Sequence, residues 1–160
     1  MSADQKITPF LWFDGNAEEA VSFYTSVFKD GKIIHIERYP DHFEGMKGKV
    51  LTAVFELNGQ KFMAIDGGPQ YKFTEAISLY VNCDSQDEVD AYWDKLADGG
   101  EVLMCGWLKD KYGVTWQIIP AALPEMLQDK NPSKAKAVMD AMLQMKKIDS
   151  NVLKQAYDAA

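Results

Sequence analysis

Along this chain the apolar positions switch between two periods, and the switch occurs twice in the same order. In "ITPFLWFDGNAEEAVSFYTSVFKDGKII" (7–34) a short apolar run gives way to a polar turn, Asp14 to Asn16, and then to Ala20, Phe23, Tyr24 and Val27. Spacings of three and four predict a helix with one buried face that ends at a glycine. In "AISLYVNCDSQDEVDAYWDKLADGGEVL" (76–103) the order returns as an apolar run, a turn at Asp84 and Ser85, and Val89, Tyr92, Trp93 and Leu96. Laid over one another without a gap, the segments agree at an offset of 69 residues: Glu19 falls on Glu88, Phe23-Tyr24 on Tyr92-Trp93, and Gly31 on Gly100.

After each glycine the pattern turns to strands. In the first copy these are expected at about 32–39, 49–57 and 60–66, with Asn58-Gly59 as a hairpin turn between the last two. In the second they are expected at about 101–105, 107–111 and 114–119, with Tyr112-Gly113 as the turn. Both copies read βαβββ, so the fold class is α+β, built of modules at about 7–66 and 75–119 within residues 1–120. One such module leaves a sheet face bare. Two are therefore expected to pair into a half-barrel with a cleft between them.

The remaining residues, 121–160, change character. They are rich in Ala, Met, Leu and Lys, and Asn131-Pro132-Ser133 is a helix start with proline in the first turn. Val138, Met142, Met145 and Ile148, flanked by Met139 and Leu143, form an apolar stripe. This helical tail is expected to pack on the modules or on a partner subunit.

Composition narrows the function. The chain has 160 residues, is 47% hydrophobic and carries a net charge of −7, with no basic cluster beyond Lys146-Lys147, so nucleic acid is not an expected partner. No apolar run approaches the roughly 20 residues of a membrane span, and the first fifteen residues lack a basic start, so a cytoplasmic protein is expected. Cys83 and Cys105 are spaced for neither a zinc knuckle nor a redox pair and read as reduced thiols.

The stretches "ITPFLWFDGNAEEAVSFYTSVF", "GGPQYKFTEAISLYVNCDSQDEVDAYWDKL", "CGWLKDKYGVTWQIIP" and "AMLQMKKID" resemble the PhnB-like branch of the vicinal-oxygen-chelate superfamily, which takes in glyoxalase I, extradiol dioxygenases and bleomycin-resistance proteins. This branch carries the label 3-demethylubiquinone-9 3-methyltransferase. The resemblance runs through the tail. It implies paired βαβββ modules, a homodimer and, in metal-using members, four inward His or Glu side chains from the first and last strands of each module. Such a set binds a divalent ion as a Lewis acid and needs hard or borderline ligands.

Carried onto this chain, the last-strand positions lie four residues past each turn glycine: Met63 after Gly59 and Gln117 after Gly113. A thioether and an amide stand where carboxylates are implied. The first-strand positions fall within 7–10 and 75–78, in a register left open, where Thr8 and Glu75 are the oxygen-bearing candidates and no histidine occurs. His35 and His42 lack spaced partners and read as surface or turn residues. One carboxylate among neutral oxygens holds a catalytic cation poorly, so no intrinsic metal and no cofactor is expected.

Nor does the chain contain GxG, so the glycine-rich turn that commonly cradles S-adenosylmethionine is missing from the sequence. What remains is a cleft with aromatic walls. Trp12, Trp107 and Asp66 are candidates for its rim, and Asp66 with Glu75 is a weak acid–base candidate. The expected function is small-molecule binding. The alternative is a superfamily enzyme, a lyase, dioxygenase or the labelled methyltransferase, acting on a vicinal-oxygen or quinone-like substrate through an atypical metal site.

Overall fold

A computed structural model describes residues 4–160. The elements are β1 (Phe10–Phe13), α1 (Ala17–Val27), β2 (Lys32–Arg38), β3 (Val50–Leu57), β4 (Gln60–Asp66), β5 (Ser78–Cys83), α2 (Gln86–Ala97), β6 (Glu101–Val102), β7 (Trp107–Lys109), β8 (Thr115–Pro120), α3 (Ala122–Leu127), α4 (Pro132–Met142) and α5 (Ser150–Asp158). They form two compact units, Met1–Phe73 and Thr74–Ala160.

The first unit is an open four-stranded sheet of order β1-β4-β3-β2, with β1 parallel to β4 and the other neighbours antiparallel. Helix α1 lies on one face. Its Ala20, Val21 and Tyr24 are fully buried against Ala53, Phe55 and Ala64 of the sheet, and the Tyr24 and Phe55 rings stack at 6.5 Å. The expected hairpin is there: Asn58 and Gly59 both have positive φ, 52° and 81°, as a type I′ turn requires. Strand β2 is an edge. It breaks register near Ile34 and carries Lys32, paired with Glu56, and Arg38, paired with Glu18, which guard it against further strand pairing.

The second unit repeats the topology as β5-β8-β7-β6, with β5 parallel to β8. Helix α2 buries Val89, Trp93 and Leu96, and the sheet answers with Leu108, Trp116 and Ile118. Trp93 and Trp116 are thus core residues. The α2 start is a reciprocal cap: the Ser85 hydroxyl accepts from the Glu88 N–H at 3.2 Å, and Glu88 accepts from the Asp84 N–H at 2.8 Å.

Register corrects the ungapped repeat by one residue. Phe10 pairs with Met63 in the first unit and Tyr80 with Gln117 in the second, so the first strands correspond at an offset of 70 while the helices keep 69. The strand-to-helix connection loses a residue: 14–16 in one copy, 84–85 in the other. The caps differ accordingly. Asn16 makes no side-chain cap bond, and Asp66, at the end of β4, reaches over to accept from the Ala17 N–H at 2.8 Å.

Two predicted strands are shorter than expected. The 101–105 strand stops at Val102, because Cys105 (φ 60°) and Gly106 (φ 81°) turn the chain and donate their N–H groups to Met145 and Lys146 of the tail, at 2.8 and 2.7 Å. The 107–111 strand stops at Lys109, because the buried Asp110 carboxylate gathers the turn, accepting from the Tyr112 and Val114 amides and from Trp116 Nε1.

The tail forms α3, α4 and α5. Asn131 caps α4 as expected, accepting from the Ser133 N–H at 3.0 Å with Pro132 in the first turn. Val138, Ile148 and Leu153 are fully buried with Ile119 and Leu123, each burial stabilising by about 1.5–3 kcal/mol. Of the expected stripe, Met139 and Leu143 are instead exposed.

Candidate functional site

In each sheet one face packs on the helix of its own module, and the strand period of two puts alternate residues on the other face. In the second unit the pairings Tyr80↔Gln117 and Gln117↔Trp107 line up three side chains in a row across β5, β8 and β7, away from α2. In the first unit the same row is Phe10, Met63 and Val54. Gln117 and Met63 thus occupy matching places in the two sheets.

The open face of the second sheet carries a pocket of about 220 Å³. Its floor is the Tyr80, Gln117 and Trp107 row with Ile119 and Cys105. Its walls are Leu123, Pro124 and Leu127 of α3 and Met142 at the end of α4. The lining holds no Asp, Glu, Lys, Arg or His, and burial pushes the Tyr80 phenol up, with the nearby Cys83 adding to it. The Gln117 amide is anchored, its Nε2 donating to Ser78 Oγ at 2.8 Å, so its oxygen is the end left for another group. A second groove, of about 460 Å³, runs between α3 and α5, but Lys154 and Asp158 on its wall are paired with each other.

Gln117 and Trp107 share the pocket. Met63 is half-buried in the first sheet, and Thr8 lies half-buried just before β1, outside any strand. Trp12 donates from Nε1 to the Gly68 carbonyl at 2.9 Å and meets the Tyr71 ring edge-on at 5.0 Å. Its indole lies so close over Gly67 that a Cβ there would coincide with the ring, so the "GGPQY" segment is a cradle for Trp12.

Asp66, expected at a rim, is 2% exposed, and both its oxygens accept backbone bonds, from Ala17 and from Val50 at 2.9 Å. It is a structural carboxylate. Glu75 is exposed and ion-paired with Lys109, whose hydrogen bond holds the Glu75 carboxyl below the usual carboxylate range. Each of the two carboxylates thus has partners of its own.

Sequence reasoning missed Tyr80, Cys105 and the α3 wall. Tyr80 was legible in principle, since a parallel partner for Gln117 had to lie in 78–83. The wall depends on how the tail folds back, which no local pattern encodes.

The matched strand positions can be tested for metal fit by their chemistry. On the open faces they present Phe10 and Met63 in one sheet, and Ser78, Tyr80 and Gln117 in the other. A thioether, an amide, a hydroxyl and a phenol do not make the carboxylate and imidazole set that a hard divalent ion requires. Among the described residues no three His, Cys, Asp or Glu side chains converge to hold a metal ion. His35 is exposed on β2, and His42 sits in a turn against Phe43, with ring centres 4.8 Å apart. No helix among the described residues is long and apolar enough to cross a membrane.

Comparison with known proteins gives a consistent picture. The family described as 3-demethylubiquinone-9 3-methyltransferase matches over residues 5–119. A solved PhnB protein from Bacillus cereus, described with the same methyltransferase name, is 47% identical, with a TM-score of 0.70, over 73% of this chain and 100% of its own. A solved Pseudomonas aeruginosa protein is 28% identical, with a TM-score of 0.63, over 73% of this chain and 98% of its own. No curated protein matches. The family match covers both modules and ends in β8.

Proposed function

Because the chain belongs to the 3-demethylubiquinone-9 3-methyltransferase family, the PhnB-like branch of the glyoxalase-like superfamily, we propose that it binds a small, uncharged organic molecule in the second-module pocket without an intrinsic metal ion. One observation carries this reading: Gln117, at the last-strand position where the resemblance implies a chelating carboxylate, is tethered to Ser78 and flanked by two aromatic side chains on the floor of an open, largely apolar pocket. An amide held in that way offers its oxygen to a hydrogen-bond donor, and aromatic neighbours favour a flat guest. The volume lies below the roughly 300–1,000 Å³ of sites for drug-sized ligands, which favours a molecule of one or two rings.

The methyltransferase description finds no support in the connections that lead into helices. Asp14-Gly15-Asn16 and Asp84-Ser85 lack the glycine-rich pattern of a nucleotide cradle, and neither sheet is doubly wound. The reading extends to a cytoplasmic homodimer. Ile7 and Ile77, 87% and 79% exposed, and the apolar Ile33 and Ile34 of the edge strand are surfaces that a second copy would cover.

The test uses 2-naphthol as the probe, with calorimetry on the wild type and Gln117→Leu and metal analysis of the purified protein. Saturable one-site binding that Gln117→Leu weakens about tenfold is expected. A stoichiometric Zn²⁺, Ni²⁺, Mn²⁺ or Fe²⁺ ion that raises the melting temperature would overturn the metal-free reading in favour of a superfamily enzyme. A monomeric native mass would remove the dimer.

A further inference from the structure

The pocket has two origins. Its floor lies within residues 5–119, which the family match covers, and its walls come from α3 and α4, which follow them. Residues 5–119 alone would leave Tyr80, Trp107 and Gln117 on a sheet face without α3 and α4.

The link between α4 and α5 is tied to the turn after β6 and to α2. The amides of Cys105 and Gly106 donate to the Met145 and Lys146 carbonyls. Two residues on, Gln86 on α2 grips the chain twice: its Nε2 donates to the Ile148 carbonyl and its Oε1 accepts from the Ser150 N–H, both at 2.9 Å. Lys147 adds an ion pair to Asp90 at 2.9 Å. Ile148, itself tied, and Leu153, just beyond on α5, are fully buried. Gly106 lies against this knot so closely that a Cβ would stand 2.8 Å from Ile119 and 2.9 Å from Ile148.

We propose that Leu127 and Met142, supplied by the tail, are the specificity-determining residues of the site: they set the upper size of the guest and exclude charged ones, over a floor that supplies the single anchoring amide. This rests on the binding reading above. Both side chains are half-buried and both are the last residues of their helices, so their outer atoms border the pocket while their inner atoms pack on the tail core. Met142 is a thioether able to shift rotamer around a flat ring, and Leu127 is a branched stop. Neither residue offers a charge or a hydrogen bond, so a charged guest would lose hydration with nothing in return.

The experiment measures the affinities of the full chain for 2-naphthol, 2-naphthalenesulfonate and 1-hydroxypyrene, as neutral small, charged small and neutral large probes. Wild type is expected to prefer 2-naphthol by about tenfold or more over each of the others. Leu127→Ala/Met142→Ala is expected to tighten 1-hydroxypyrene about tenfold, and Met142→Trp to weaken 2-naphthol by a similar factor, with Met142→Leu as the conservative control. If the double variant does not fold, Met142→Trp decides alone. Should wild type bind none of the probes, or Gln117→Leu leave 2-naphthol unaffected, the binding reading itself fails and this inference with it. If Gln117→Leu weakens 2-naphthol but the wall variants change no affinity, or wild type binds the sulfonate or the pyrene as well as 2-naphthol, the pocket stands and the tail is not its selector.

Discussion

Replacing Asp66 by asparagine removes one oxygen and the charge from a carboxylate that accepts from Ala17 at 2.8 Å and from Val50 at 2.9 Å. The new amide group turns an N–H toward one of these N–H donors, which then stays buried without an acceptor. A hydrogen bond to an ionised acceptor contributes about 1.5–3 kcal/mol, and a negative charge at a helix N-terminus adds about 0.3–1 kcal/mol, more when partly buried. Losing one bond and the charge is therefore expected to cost about 3 kcal/mol, or a drop of about 6–12 °C in melting temperature for a chain of this size. Asn16→Ala is the contrasting perturbation. Asn16 occupies the cap position by sequence but makes no side-chain cap bond, so its loss is expected to cost less than about 0.5 kcal/mol. Urea unfolding followed by circular dichroism measures both, and amide exchange at Ala17 and Val50 reports the bonds directly. The reasoning is refuted if Asp66→Asn lies within about 0.5 kcal/mol of wild type, or if Asn16→Ala is equally costly.

Gly67→Ala is expected to push the Trp12 indole off the Gly68 carbonyl, costing about 1–3 kcal/mol and shifting tryptophan emission to the red, which fluorescence reads. Gly106→Ala combines a strained positive φ with contacts under 3 Å to Ile119 and Ile148. It is expected to cost about 2 kcal/mol and to expose residues 121–160 to limited proteolysis before the modules. Burial raises the Cys83 thiol from 9.0 to about 12, so the native state keeps a proton that the unfolded chain releases. Stability is therefore expected to fall as pH rises through that window, less so in Cys83→Ala, with a thiol reagent at pH 8 modifying Cys105 well before Cys83.

The duplicated plan was legible because it rests on local signals: helix faces at three and four, Asn58-Gly59 as a hairpin, Asn131-Pro132 as a helix start. What escaped was set by contacts distant in sequence. The one-residue slip between copies follows from how each helix is capped, by Ser85 next to it in one copy and by Asp66, 49 residues away from Ala17, in the other. The premature end of β6 follows from amides that bond to residues 145 and 146. For the site, the places of Met63 and Gln117 were readable from the turn glycines, and Trp107 came with them. The Ser78 tether fell in the open register of the first strand, and the walls required the tail to fold back. Asp66 looked like chemistry because an acidic residue closing a strand resembles a site; its true partners are backbone amides.

The same carboxylate has a consequence for the surface segment from 39 to 50. Tyr39 donates its phenol to the Asp66 carbonyl at 2.9 Å and its N–H to the Lys49 carbonyl, while Val50 is held by the Asp66 side chain. Both ends of "YPDHFEGMKGKV" are thus pinned to a single residue, and the entropy of closing the excursion changes only slowly with its length. This is a natural port for grafting: peptides of quite different size could be spliced between Pro40 and Gly48 without disturbing the sheet beneath.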